Sequence, residues 1–152
     1  MNEEARNELR LLESKNVRIF QIMGALKLLN NKVKSFVMKL ERTAAEEQND
    51  LLLNQSFGEI INDIRFFKEE HKRFVDSDLY IPIVDKFANN VDRLFHSDTQ
   101  ELYTHTEMRR ISVYLYRMSD MMIRELMQSK SEIEQKIHAI HLANGKYYFN
   151  RK

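Results

Sequence analysis

The chain has no cysteine, one proline and three glycines among its 152 residues. Without cysteine there are no disulfides, thiolate metal ligands or cysteine nucleophiles, a composition that fits a cytoplasmic protein. So few glycines and prolines leave little material for the tight turns of a many-stranded sheet. No window approaches the roughly 18 consecutive apolar residues of a membrane span, and the opening "MNEEARNELR" lacks the basic start and apolar stretch of a secretory signal. The expectation is a soluble, cytoplasmic, all-helical protein. A length of 152 residues suits a single helical domain over 1–152.

What the chain does have is an abundance of helix formers in long periodic runs. An elongated four-helix bundle is predicted, two long helices at about 2–49 and 98–144 bracketing shorter ones at about 57–76 and 82–96. Ser56 with Glu59, and Asp98 with Glu101, carry the spacing of capping boxes that open the second and fourth helices. Pro82 suits the first turn of the third helix, and Gly145 the end of the fourth. Residues 146–152, "KYYFNRK", form a short basic and aromatic tail.

The first helix carries a heptad line through Leu9, Leu12, Asn16, Ile19, Met23, Leu26, Asn30, Val33, Val37 and Leu40. Asn16 and Asn30 share one heptad position. A buried asparagine there fixes register and strand number when it pairs with its copy across a parallel coil. The line therefore predicts a self-association seam and a homodimer. The apolar flanking positions Ile22, Leu29 and Phe36 widen the stripe, and the alternative is that it packs on the chain's own fourth helix. Along that fourth helix runs a methionine-rich line, in which Met108, Met118 and Met122 could form an adaptable partner groove.

Catalytic and metal signals are sparse. Glu134, His138 and His141 fall on one helical face, but the ordinary account of two histidines near a helix C-terminus is favourable interaction with the dipole. No serine–histidine–aspartate arrangement, phosphate-cradling glycine loop or Walker-type motif occurs. No catalytic residue, metal, cofactor or small-molecule ligand is therefore expected. The stretch "RFFKEEH", Arg65 to His71, resembles the arginine–histidine signature of the HEPN family, small all-helical proteins many of which cleave RNA. That resemblance, over seven residues, implies a dimer in which Arg65 and His71 act on RNA. His71 also falls in line with Ile64, Phe67 and Phe74, the position of a core histidine holding a hydrogen-bond partner.

Charge is nearly balanced, with a net of +1, yet unevenly placed. From Lys15 to Arg42 seven bases face one acid, while from Thr43 to Glu101 thirteen acids face six bases. Lys27, Lys32, Lys34, Lys39 and Arg42 could contact nucleic acid through phosphate neutralisation, or be met by the chain's own acidic middle helices. The sequence thus predicts a non-catalytic regulatory or adaptor protein that binds other proteins through its helices, as a homodimer. A nucleic-acid-binding regulator is the alternative, and a HEPN-like ribonuclease the third reading.

Overall fold

The computed structural model describes residues 1–43, 50–95 and 102–145. Among them are four α-helices and no strand: α1 (Glu3–Arg42), α2 (Asp50–Arg73), α3 (Asp85–Val91, entered through a 3-10 turn at Pro82–Val84) and α4 (His105–Ala143). The all-α, elongated architecture follows from the spacing of apolar residues, and α1, at 40 residues, is about 60 Å long.

The boundaries differ from the sequence reading in four places. One is the third helix, expected over 82–96 but α-helical only from Asp85 to Val91, with turns and bends at 92–95. α1 stops at Arg42, where Thr43 turns extended and returns both its amide and its hydroxyl to the Lys39 carbonyl. α2 begins at Asp50, so Ser56 lies inside the helix and is no cap. Leu53 already belongs to the buried face that continues through Phe57, Ile60 and Ile64, and this burial extends the helix towards its N-terminus. Asp98 and Glu101 lie outside the described residues, but 102–104 are non-helical, and the capping box that opens α4 is Thr104 with Glu107. Two expectations hold: Pro82 occupies the first turn of the 3-10 segment, and Gly145 ends α4 in the left-handed region at φ 69°. The tail 146–152 lies outside the described residues.

The helices run up, down, up and down. α1 and α4 form the long antiparallel pair, fixed in register by His105 Nε2, which donates to the Leu40 carbonyl at 3.1 Å, and by Asn30, which reaches Ser119. α2 descends along α1 from Phe57, stacked on Phe36, to Phe74, which lies under the Arg18 guanidinium. α3 returns between α2 and α4, with Phe87 edge-on to Phe67 and Lys86 facing Glu125. The fully buried core runs from Ile19 to Leu40 on α1 and from Met108 to Leu126 on α4. Beyond it the two long helices continue together, with Leu9, Leu12, Ile133 and Ile137 only half-buried.

This packing reassigns the first-helix seam. Ile19, Met23, Leu26, Val33 and Leu40 are buried inside the chain, and Val37 packs against the same core. The register of α1 on α4 sets Leu9 and Leu12 level with Ile133 and Ile137. From Ile19 to Leu40 the line therefore works within the chain, while Leu9 and Leu12 stay half-buried. The methionine groove gives way for the same reason: Met108 and Met122 are buried core residues and Met118 packs on them. The methionines that do face outward on α4 are Met121 and Met127.

Candidate functional site

Two features of the α1/α2 side are not consumed by the core. The first is a line on the outer face of α1. Val17, Phe20 and Leu28 are 57%, 64% and 73% exposed, at positions that a helix aligns with Gly24 between them. A Cβ built on Gly24 would meet nothing within 4 Å, so no described residue requires a glycine there. Gly58 is equally open, but its neighbours one turn away are the polar Asn54 and Asn62.

The second is a slot of about 560 Å³ between α1 and α2. Its floor is Ile22, Leu29, Phe67 and Val84, and Leu28 with Phe66 stand on its lips. These residues recur every three or four positions on each helix, so one face of α1 looks across at one face of α2. Charges sit at the ends. At one end Lys32 bridges to Asp63 at 2.8 Å and to Glu59 at 3.9 Å. At the other, the Arg18 guanidinium lies 3.9 Å over the Phe74 ring, and its buried Nε has no hydrogen-bond acceptor. Burial lowers the pKa of Arg18, and the negative charge of Glu70 partly opposes that shift.

His71 closes the back of the slot. It is buried, stacks on the Tyr80 ring, and its Nε2 donates to Asp85 Oδ1 at 2.7 Å. The Tyr80 hydroxyl donates to the same carboxylate. These hydrogen bonds hold Asp85 below the usual carboxylate range, Tyr80 contributing most and His71 next, while burial works the other way. Its own bond to Asp85 raises the pKa of Tyr80. The cluster ties the end of α2 to the start of α3, supported by an ion pair between Lys68 and Asp92. Arg65 is exposed, so Arg65 and His71 do not meet at one surface.

The remaining residues singled out in the sequence are dispersed. Glu134 is engaged by Lys130 at 2.9 Å. No group of three histidine or acidic side chains among the described residues is placed to hold a metal ion. Of the basic residues on α1, Lys32 is paired with the acidic α2 and Lys39 reaches Ser56, whereas Lys27, Lys34 and Arg42 are exposed. No described helix is long and apolar enough to cross a membrane. Sequence reasoning missed the outer line of α1, though its apolar spacing was visible. It missed the slot because the two walls are far apart in the chain.

No protein-family model matches this chain, and no curated protein or solved structure matches it.

Proposed function

We propose that the chain is a non-catalytic adaptor that binds other chains through its helices and works as a homodimer joined along the outer face of α1. The observation that carries this reading is the exposed line Val17, Phe20 and Leu28 with Gly24 at its centre. A glycine inside a helix costs about 1 kcal/mol relative to alanine, and no intrachain contact here offsets it. It is useful where a second backbone approaches closely.

The line is complementary to itself when two copies of α1 cross antiparallel at Gly24. Phe20 and Leu28 are each four residues from the glycine, so Phe20 of one chain meets Leu28 of the other on both sides of the crossing. The same register brings Glu13 alongside Lys34 and sets Lys27 opposite Gln21, with no like charges facing each other between Glu13 and Ser35. Sedimentation equilibrium at micromolar concentration tests this directly. A dimer that Phe20→Asp converts to monomer without loss of helix content is the expected result, and a monomeric wild type would refute the pairing.

A second reading, a nucleic-acid-binding regulator, draws support from Lys27 and Lys34. They are exposed one heptad apart and have no counter-charge among the described residues. Binding to an oligonucleotide that weakens steeply with salt, and weakens further in a Lys27→Ala/Lys34→Ala variant, would favour it.

A further inference from the structure

We propose that the slot between α1 and α2 is a binding site for a single-chain amphiphilic carboxylate, with the acyl chain along its apolar floor and the carboxylate on Arg18. The slot shares Leu28 with the outer line of α1, but its floor and Arg18 take no part in the pairing proposed there. A volume of about 560 Å³ falls within the range of small-molecule sites, which are mostly apolar with a few polar groups that orient the ligand. Ile22, Leu29, Phe67 and Val84 supply the apolar surface.

Of the two cations in the slot, only one is available. Lys32 is held by Asp63 and Glu59. Arg18 has no carboxylate within ion-pair distance among the described residues, and its Nε is buried without an acceptor. Arg18 as a whole is only half-buried, so the rest of its planar fork is within reach of an arriving carboxylate, whose shape it matches. The ring of Phe74 already fixes that fork in place. The chemistry of the headgroup is further restricted by Glu70, which lines the same end. A singly charged carboxylate suffers less repulsion there than a phosphate dianion.

One end of the slot is bridged. Its walls are tied by the direct Lys32–Asp63 ion pair at 2.8 Å, and just beyond it Phe36 stacks on Phe57 at 5.5 Å. An occupant that reaches Ile22 and Val84 has to lie below that bridge, which suits a narrow chain better than a helix about 10 Å across. An extended acyl chain is narrow enough to do so.

The test is displacement of 1-anilinonaphthalene-8-sulfonate by dodecanoate, kept below the concentration at which the chains self-associate. Dodecanoate should displace the dye saturably, and dodecyltrimethylammonium, with the same chain and the opposite charge, should not. Decanoate, two methylenes shorter, should bind about tenfold more weakly. Arg18→Met should weaken dodecanoate by about tenfold or more. Ala25→Phe fills the slot from an exposed position outside the core and should abolish binding with the melt unchanged. It also serves if Arg18→Met fails to fold. Equal displacement by both headgroups, or wild-type affinity in Ala25→Phe, would overturn the assignment.

Discussion

Asn30 Nδ2 donates to Ser119 Oγ at 2.8 Å and to the Tyr116 carbonyl at 3.1 Å, crossing from α1 to α4 in the middle of the core. The hydroxyl of Ser119, itself fully buried, is passed on to the same carbonyl at 3.0 Å. Asn16, at the same heptad position two repeats earlier, has a buried Oδ1 without a hydrogen-bond partner. One pattern in the sequence therefore produces two opposite situations. Replacing Asn30 with Leu should lower stability by about 1–3 kcal/mol, because the fully buried Ser119 hydroxyl loses its donor. Asn16→Leu should be neutral or stabilising, since it removes an unsatisfied carbonyl and adds apolar surface beside Leu12 and Ile19. Denaturant melts of the two single variants decide the matter, and equal losses would contradict the assignment.

Much of the fold was legible because apolar spacing alone determines which faces must be buried. The order of the helices follows from it, and the start at Pro82 and the stop at Gly145 follow from the backbone chemistry of those two residues. Boundaries were harder. Ser56 and Glu59 have capping spacing, but Leu53 and Phe57 lie on one face and burial carries the helix past the signal. At α4 the sequence offers two such pairs within a few residues, Asp98 with Glu101 and Thr104 with Glu107, and local chemistry does not rank them. The slot was out of reach for a different reason: Arg18 and Phe66 come to line one slot only once α2 descends along α1. The exposed line through Gly24 was within reach, but the stronger heptad line on the opposite side of the same helix drew the self-association reading towards residues that α4 covers.

The cluster of Tyr80, Asp85 and His71 predicts how stability responds to pH. Asp85 titrates below the ordinary value of 3.8, so its contribution is complete above that value and is lost as pH falls through the depressed one. Tyr80 titrates above its ordinary 10.0, so its contribution is complete below that value and is lost as pH rises through the raised one. The clasp between α2 and α3 should hold across the whole interval between. Asp85→Asn should flatten both limbs of a plot of melting temperature against pH while lowering the plateau. A variant whose acid and alkaline limbs matched the wild type would show that these groups are not coupled to folding.

Asn54 pins the segment that precedes α4. Its Oδ1 accepts from the Tyr103 amide at 2.8 Å and its Nδ2 donates to the Tyr103 carbonyl at 3.0 Å, so one side chain stands in for a neighbouring strand. The Tyr103 ring then packs edge-on to Phe57 at 5.0 Å. Asn54→Leu removes both of these hydrogen bonds beside a buried aromatic and should cost about 1–3 kcal/mol. Hydrogen exchange at the Tyr103 amide is the specific readout. It should accelerate well beyond the change at Leu115, in the middle of α4, and uniform acceleration would indicate general destabilisation instead.

Gly24 separates the demands of the folded chain from those of its pairing. Within one chain a methyl group at this position meets open space, and alanine is the better helix former, so Gly24→Ala should stabilise the monomer by about 1 kcal/mol. If two copies of α1 cross at this point, the same methyl group holds the backbones apart and pulls Phe20 away from the partner's Leu28. The dimer should then weaken even as the fold strengthens. Denaturant melts below the dissociation concentration measure the first effect, and sedimentation across a concentration series measures the second. A variant that is more stable and equally dimeric would move the pairing surface away from Gly24. A variant that is no more stable would point to an interaction of the glycine within the folded chain.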